Sequence, residues 1–138
     1  MNILILGYSR LVKKRILNVI LKNNIRFSIA SKSSTRKVKK AYSWYRNYKI
    51  ALNTSNADLV YVSLPNSQHY YWAKKALEKG YHVIVDKPLS ENFLQAKNLI
   101  KIAKNKKKLI AEATFFNYHN QFNKAVKLLN GVRNIKHV

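Results

Sequence analysis

The sequence predicts an α/β fold built on a doubly wound parallel sheet with helices on both faces. Short apolar segments alternate with longer segments in which apolar residues recur at helical spacing. Strands that alternate with helices of this length form βαβ units, whose strands run parallel. The chain has 138 residues, of which 47% are hydrophobic, and this is enough for one core.

Five apolar segments are predicted to be strands because each is short and bounded by turn residues. They are residues 2–6, 26–30, 59–64, 81–85 and 109–116. Pro65 follows the third segment directly and Pro88 comes shortly after the fourth. Since proline cannot donate to a sheet ladder, these two residues mark where the strands stop.

Four amphipathic segments between the strands are predicted to be helices. They are residues 11–21, 35–45, 70–79 and 91–105. Gly80 suits the C-terminal cap of the third helix, and Ser90 is predicted to be the N-cap of the fourth.

The segment RKVKKAYSWYRNYK, residues 36–49, allows two interpretations. Aromatic residues interleaved with basic residues are typical of a surface that binds single-stranded nucleic acid. A helix would instead place Val38, Ala41, Trp44 and Tyr45 on one apolar face. The helical interpretation is favoured, so we expect these four residues on the buried side of a helix.

The chain is strongly basic, with 27 Lys and Arg against 5 Asp and Glu and a formal net charge of +22. Such a charge raises the local concentration of any polyanion. The basic residues are spread along the whole chain, however, and abundant Asn and Ile beside Lys indicate an A/T-rich coding sequence. Nucleic acid is therefore not the expected partner.

Other residue types exclude several kinds of site. The absence of cysteine excludes disulfides, thiolate zinc sites and cysteine nucleophiles, and the four histidines lack metal-ligand spacing. No apolar segment reaches the roughly 18 to 20 residues of a membrane span, and the N-terminus lacks the pattern of a signal peptide. A soluble, cytoplasmic protein without a metal or a membrane partner is expected.

Ligands of such a sheet bind beyond the carboxyl ends of its strands, so the residues after each strand are informative. After the first strand the chain reads Gly7-Tyr8-Ser9-Arg10-Leu11-Val12, in which Ser9 and Val12 replace the last two glycines of G-x-G-x-x-G. Ser9 is small enough for a pyrophosphate to approach, and its hydroxyl is expected to donate to phosphate; Val12 is expected to loosen helix-to-strand packing. The pattern fits a dinucleotide turn and an ordinary strand-to-helix junction equally well.

After the second strand the chain reads Ser31-Lys32-Ser33-Ser34-Thr35-Arg36 and offers no acid for ribose hydroxyls. Hydroxyls beside Lys32 and Arg36 are the chemistry that a 2′-phosphate requires, so NADP is favoured over NAD if a dinucleotide binds. The alternative is a solvated basic loop.

Residues 57–90, ADLVYVSLPNSQHYYWAKKALEKGYHVIVDKPLS, contain four motifs at specific spacings. These motifs are Asp58, Pro65-Asn66-Ser67-Gln68-His69, Ala76-Leu77-Glu78-Lys79-Gly80-Tyr81-His82-Val83 and Asp86-Lys87-Pro88. In this order they resemble the N-terminal domain of the glucose-fructose oxidoreductase / inositol dehydrogenase (Gfo/Idh/MocA) family. The resemblance extends from Asn2 to the end of the chain, and EATFFNYHNQF, residues 112–122, is similar to a segment of the family's dihydrodiol dehydrogenase branch.

The resemblance implies a Rossmann-type NAD(P)-binding domain of an oxidoreductase that acts on a sugar, a cyclitol or a related hydroxyl compound. The residues it implies for cofactor binding are Gly7, Ser9, Arg10, Leu11, Ser31, Lys32, Leu64, Pro65, Asn66, His69, Asp86 and Lys87. Lys87 is expected to be catalytic as well, because an ammonium beside a reacting hydroxyl stabilises developing negative charge. His82 is expected to be a packing residue, and for His119 a role at the edge of the site and a structural role both stay open.

The chain departs from the family pattern where Asp86 replaces a glutamate, Asn117 an arginine and Asn120 a proline. Residues 1–122 are expected to form the cofactor domain, and residues 123–138 a connecting helix and the start of a second α/β domain, most of which is lacking. The strand predicted at 135–138 would then be an unpaired edge or disordered. Catalysis by this chain alone is therefore not expected, and its partner would be a complementing catalytic chain or a second copy.

Three functional hypotheses follow, in order of preference. The first is a dehydrogenase of sugar-like substrates that uses NADP or NAD, with Lys87 as its surviving catalytic residue. The second is a non-catalytic nucleotide-binding or sensing module, which the glycine replacements would suit. The third is a nucleic-acid-associated domain that acts through its charge.

Overall fold

A computed structural model describes residues 1–32, 38–114 and 118–129 of the chain. Its centre is a sheet of six strands in the order β3-β2-β1-β4-β5-β6, and every neighbouring pair is parallel. The strands are β1 Asn2–Leu6, β2 Arg26–Ala30, β3 Trp44–Tyr45, β4 Leu59–Val62, β5 His82–Val85 and β6 Ile110–Glu112. The predicted parallel α/β sheet is confirmed.

Five α-helices connect or follow these strands. They are α1 Leu17–Lys22, α2 Tyr48–Thr54, α3 Asn66–Glu78, α4 Phe93–Asn105 and α5 Asn120–Leu128, and a π-helical turn, Val12–Ile16, leads directly into α1. Helices α2, α3 and α4 pack on one face of the sheet, while the π-helical turn and α1 pack on the other. The sheet is therefore doubly wound, as predicted.

Alternating residues of the central strand supply both cores. Leu4 and Leu6 of β1 are buried against the α2–α4 side, and Ile3 and Ile5 are buried against the α1 side. Successive side chains of a strand point to opposite faces, so a strand covered on both faces must be apolar throughout. Val12 is fully buried in the α1-side core, so the expected loosening of the packing at this position is not observed.

The prediction of a helix at 35–45 is wrong for residues 38–45, the part that the structure describes. Trp44 and Tyr45 form the edge strand β3, and they pack into the α1-side and α2-side cores respectively. The helix that was not predicted, α2, begins after Asn47, whose side chain accepts hydrogen bonds from the backbone N–H groups of Lys49 and Ile50. An N-cap of this kind fixes where a helix starts, and it overrides the apolar spacing further upstream.

The other boundaries differ from the predictions by a few residues. Helix α3 starts at Asn66, four residues before the predicted start at Tyr70. Asn92 rather than Ser90 caps α4, by accepting from the backbone N–H of Gln95 at 3.0 Å. Strand β6 covers only Ile110–Glu112 of the predicted segment 109–116, of which 115–116 lie outside the described residues.

The remaining predictions about the C-terminal part have mixed outcomes. The strand predicted at 135–138 lies outside the described residues, as do Asn117, Ser33, Ser34, Thr35 and Arg36. Helix α5 runs across the predicted domain boundary at residue 122 and has no buried residue. No helix among the described residues is long and apolar enough to cross a membrane, and none of their His, Asp and Glu side chains form a group of three that could hold a metal ion.

Helices α1, α3 and α4 all end in the same hydrogen-bonded motif. Each has one residue with positive φ just after its C-cap: Asn24 at 51°, Gly80 at 85° and Lys107 at 53°. In each case the N–H of that residue and the N–H of the next return to carbonyls of the last helical turn, as in a Schellman motif. Gly80 is therefore the predicted C-terminal cap, and lysine occupies the equivalent position after α4.

Replacing Lys107 by glycine is expected to stabilise the fold by about 0.5–1 kcal/mol, because glycine adopts positive φ without steric cost. Gly80→Ala is expected to destabilise it by about 1 kcal/mol. The new Cβ would meet nothing nearer than the Lys108 side chain at 3.9 Å, so the loss would come from the backbone alone. Urea denaturation measures both changes. Lys106 is the neighbouring C-cap residue and has a right-handed conformation, so Lys106→Gly is the control and should destabilise the fold. Stabilisation by both Lys106→Gly and Lys107→Gly would contradict the assignment.

Candidate functional site

The candidate site lies at the carboxyl edge of the sheet, where the strand order reverses. Strand β1 pairs with β2 on one side and with β4 on the other, so the connections leaving β1 and β4 diverge to opposite faces. A crevice forms at such a switch point and receives ligands in doubly wound folds. The residues that follow β1, β2, β4, β5 and β6 all meet along this edge.

The turn after β1 depends on the absence of a side chain at Gly7. Its φ is +101°, and a Cβ at this position would lie 2.0 Å from the carbonyl oxygen of Ser63 at the end of β4. The Gly7 N–H donates to the Ala30 carbonyl at 2.8 Å, which ties the turn to the end of β2. Any other residue here would push β1 and β4 apart at the carboxyl edge.

Ser9 caps the helical segment that follows this turn. Its Oγ accepts from the Val12 N–H at 3.1 Å, and its carbonyl accepts from the Lys13 N–H at 3.0 Å. The N–H groups of Arg10 and Leu11 are among the four first donors of a helix, which have no carbonyl partner within it. These two donors, together with the exposed Arg10 side chain, face the end of the helix that attracts anions.

A directed chain of hydrogen bonds runs from Ser9 to Asp86. The ionised carboxylate of Asp86 only accepts, so the Ser63 hydroxyl donates to its Oδ2. Ser63 must then accept from Ser9, whose Oγ lies 2.7 Å away. The single hydroxyl hydrogen of Ser9 is therefore committed to Ser63, and the expected donation from Ser9 to a phosphate is not what this structure shows.

Tyr61 binds the other oxygen of the same carboxylate. Its hydroxyl donates to Oδ1 of Asp86. Burial raises the pKa of Tyr61 well above its usual value, and the hydrogen bond to Asp86 and the negative charge of that carboxylate raise it further. Both oxygens of Asp86 thus accept a hydroxyl hydrogen bond, one from Tyr61 of β4 and one from Ser63 directly after it. These hydroxyls fix Asp86 on the sheet side of its loop.

The residues after β2 place one cation at the edge. Ser31 is buried, and its N–H donates to the Tyr45 carbonyl of β3 at 2.9 Å. Lys32 is exposed, and its ammonium nitrogen lies 5.3 Å from the centre of the Tyr48 ring. The ring's quadrupole attracts a cation at this distance, by about 0.5–1 kcal/mol at an exposed site, and so favours this orientation of the Lys32 side chain.

The turn after β4 contains Leu64, Pro65 and Asn66 and leads straight into α3. Pro65 and Asn66 are exposed at the edge, and Leu64 is half-buried. His69, one turn into α3, is fully buried, with Nε2 at 2.7 Å from the Leu64 carbonyl oxygen and Nδ1 at 2.6 Å from that of Pro88. Its ring therefore lies behind the turn and connects it to the loop after β5.

Lys87 is exposed on the loop between β5 and α4, where its peptide bond to Pro88 is cis. Glu112, at the end of β6, accepts from the Leu89 N–H at 2.7 Å and from the Thr114 hydroxyl at 2.5 Å. Both hydrogen bonds lower the pKa of Glu112, and the positive charge of Lys87 lowers it further. A cation and an anion therefore lie near each other at this end of the site.

The structure brings the predicted residues of four strand ends to one edge, and it adds three residues that the sequence did not reveal. Tyr61 lies within β4 and Ser63 directly follows it, and Glu112 lies on an edge strand far from the other motifs. The alternation of hydroxyls with valines in VYVS, residues 60–63, was the one available signal. His82 accepts from the Leu109 N–H at 3.1 Å and fits the predicted packing role, and His119 caps α5 by accepting from the Gln121 N–H at 3.2 Å.

The family model described as an oxidoreductase family with an NAD-binding Rossmann fold, Gfo/Idh/MocA, matches residues 1–114. The chain belongs to this family. The predicted resemblance is thereby confirmed, and so is the expectation of an oxidoreductase NAD(P)-binding domain.

Several named relatives of this Gfo/Idh/MocA chain act on sugars. It is 34% identical over 83 residues to dTDP-3,4-didehydro-2,6-dideoxy-alpha-D-glucose 3-reductase from Actinomadura kijaniata, a match that covers 60% of this chain and 25% of that protein. It is 35% identical over 74 residues to D-xylose 1-dehydrogenase (NADP(+)) from Hypocrea jecorina, covering 54% of this chain and 19% of that protein.

A solved structure shows the same architecture with a cofactor bound. The 3-ketoreductase KijD10 from Actinomadura kijaniata in complex with NADP superposes with a TM-score of 0.86 at 26% identity, over 94% of this chain and 44% of that one. The Gfo/Idh/MocA chain thus spans about a quarter or less of the curated relatives named above and less than half of this solved structure.

Replacing Ser63 by alanine is expected to destabilise the fold by about 1–3 kcal/mol, because Asp86 and Ser9 each lose a hydrogen-bond partner. Ser9→Ala should cost about 0.5–2 kcal/mol as a lost N-cap. The double variant should lose about 0.5–1.5 kcal/mol less than the sum of the two single losses, because both residues belong to the same series of hydrogen bonds. Urea denaturation measures the cycle. Ser67→Ala, at an exposed position, is the control and should change the stability of the fold little. Additive losses for Ser9→Ala and Ser63→Ala would contradict the series of hydrogen bonds from Ser9 to Asp86.

Replacing Glu112 by glutamine is expected to lower stability at neutral pH and to have less effect in acid. A carboxyl whose pKa is lowered on folding stabilises the fold above its ordinary pKa, here 4.5, and this contribution disappears as the pH falls through the folded-state pKa. The urea midpoints of wild type and variant should therefore converge below pH 4.5. Glu91→Gln, at an exposed position, controls for net charge, and a difference that grows in acid would contradict the assignment.

Proposed function

We propose that this chain is the cofactor-binding part of an NADP-dependent oxidoreductase that acts on a sugar-like substrate. The observation that carries the proposal is the convergence of the Gly7 turn, Lys32 and Lys87 on one edge of the sheet. The three positions correspond to the needs of a dinucleotide: a tight turn for the pyrophosphate, a cation for the 2′-phosphate and a cation at the reacting end.

The residues after β1 fit a pyrophosphate in this structure. Gly7 lets the chain turn directly against the end of β4, and the N–H groups of Arg10 and Leu11 stay available at the start of the helical segment. The positive end of that segment favours a doubly charged group there. Ser9 contributes by fixing the turn through Ser63, and the phosphate contacts fall to the backbone donors beside it.

Lys32 supports NADP rather than NAD. No Asp or Glu follows β2 within residues 31–37, so a 2′-phosphate would meet a cation and no carboxylate. The Tyr48 ring orients Lys32, which reduces the entropy lost when its ammonium binds an anion. The printed names of the Hypocrea jecorina dehydrogenase and of the KijD10 complex include NADP, which supports the same preference.

Lys87 is the proposed catalytic residue. When bound, the nicotinamide supplies hydride transfer, and the protein must manage the charge that develops on the substrate oxygen. An exposed ammonium held on a loop between α4 and the hydroxyl-bound Asp86 can donate to that oxygen, or stabilise it as its proton leaves. The sugar reductase and the xylose dehydrogenase among the relatives support a sugar-like hydroxyl or carbonyl as the reacting group.

Turnover is proposed to need a second α/β domain, as the family resemblance implies. Phe93 and Leu94 lie at the start of α4 beside the Lys87 loop, and each is 75% exposed. Neighbouring apolar side chains of this size suit a covered surface rather than solvent. A domain placed there, on further sequence of the protein or on a complementing chain, would close the substrate side of the site.

Isothermal titration with NADPH and NADH tests the proposal. Wild type should bind NADPH more tightly, and Lys32→Asp should weaken NADPH binding by about tenfold or more while affecting NADH less. Lys40→Asp makes the same charge change at another exposed lysine and should have a smaller effect. Equal affinities for the two nucleotides would contradict the NADP preference. Binding that disappears in moderate salt and responds equally to both variants would indicate a general polyanion surface instead.

A further inference from the structure

His69 makes two close polar contacts inside the protein, and both are with backbone carbonyl oxygens. Its ring is 0% exposed, with Nε2 at 2.7 Å from the Leu64 oxygen and Nδ1 at 2.6 Å from the Pro88 oxygen. Leu64 belongs to the turn after β4, which the family resemblance implies for cofactor binding, and Pro88 directly follows Lys87. One buried ring therefore joins the two loops of the site.

The hydrogen-bonding chemistry of these two contacts decides which nitrogens of the His69 ring carry a proton. A carbonyl oxygen only accepts hydrogen bonds, and a neutral imidazole has one donor nitrogen and one acceptor nitrogen. In a neutral ring one nitrogen lone pair would face a carbonyl oxygen within 2.7 Å, which is repulsive. Turning the ring over would place carbon atoms against both oxygens and leave two buried carbonyls without these partners. Only the imidazolium, which donates from both nitrogens, satisfies both contacts.

We propose that His69 is an imidazolium in the folded protein and acts as a positioning residue that holds the Lys87 loop against the turn after β4. Its charge lies behind the turn, where it adds positive potential at the edge proposed for an anionic dinucleotide. The protonation state follows from the contacts alone. The positioning of a cofactor turn also rests on the proposed function.

The ionisable side chains on the neighbouring elements are bound to other groups or exposed, so the two carbonyls are the polar partners of the His69 ring among the described residues. Asp86 is bound to Tyr61 and Ser63, and Glu112 is bound to the Leu89 N–H and the Thr114 hydroxyl. Lys87 and Glu91 are exposed on the loop, and on α3 itself the Tyr70 hydroxyl accepts from Asn98 at 2.7 Å. Among the described residues no carboxylate forms a hydrogen bond or ion pair with His69.

Nitrogen-edited NMR of the histidine rings tests the protonation state without any nucleotide. At about pH 7.5 an unperturbed histidine is protonated in about one molecule in ten. His69 should nevertheless show protons on both ring nitrogens. His82 and His119 are internal controls, because their Nδ1 atoms accept backbone N–H groups and must be unprotonated. A single ring proton on His69 would overturn the proposal.

Hydrogen exchange of the Leu89 N–H tests the positioning role, again without nucleotide. This N–H donates to Glu112 two residues after Lys87, so it reports whether the loop is held in place. The amide of His69→Gln has both N–H donors on one atom and an oxygen at the other position. It therefore cannot replace donation from two separate ring nitrogens, and Leu89 protection should fall by about tenfold or more. His82→Gln is the matched control and should leave Leu89 protection unchanged. Unchanged protection in His69→Gln would overturn the positioning role.

The two proposals fail in different ways. If wild type binds no nucleotide while both ring protons and the loop protection are observed, the NADP function is wrong and the His69 bridge stands. If His69→Gln does not fold, the ring protons of the wild-type protein still decide the protonation state. In that case the same exchange measurement on His69→Asn, whose shorter amide also has its donors on one atom only, decides the positioning role.

Discussion

Gly7 lies at the point where β1 comes closest to the end of β4, and the arrangement of the whole carboxyl edge depends on this contact. A side-chain carbon at Gly7 would overlap the Ser63 carbonyl, since the two atoms would be 2.0 Å apart. Because Gly7 has none, Ser9 lies beside Ser63, and Ser63 in turn reaches Asp86. The glycine thus does more than make a turn: it lets the loop after β1 connect, through Ser63, to the loop that carries Lys87.

Two polar connections then hold the loops of the site, one on each side of the β4 end. The hydroxyls of Ser9, Ser63 and Tyr61 hold the Asp86 side of the β5 loop, and the His69 ring holds its Pro88 side. Lys87 lies between the two anchored residues and stays exposed. The Lys87 side chain is thereby carried on a backbone held on both sides, and this arrangement limits changes in its orientation.

The strands and the core were predictable from the sequence because burial on both faces of a parallel sheet demands unbroken apolar segments. The region around Trp44 was not, because a short strand and a helix place the same aromatic residues at compatible spacings, and only the capping side chain of Asn47 separates them. Lys87 and Asp86 were predicted from their motif. Tyr61 and Ser63 were missed because their contacts depend on the register of β4 against β5, which pairs Val62 with Val85 and is not encoded locally.

The replacement of the family's glutamate by Asp86 is consistent with the same geometry. An aspartate is one methylene shorter, and in this chain two hydroxyls on β4 reach its oxygens from the sheet side. The carboxylate is therefore satisfied within the protein. A second carboxylate near Lys87 is that of Glu112, which accepts from the Leu89 N–H of the Lys87 loop. Lys87 thus lies between a carboxylate committed to the fold and one at the edge strand, and its side chain is exposed.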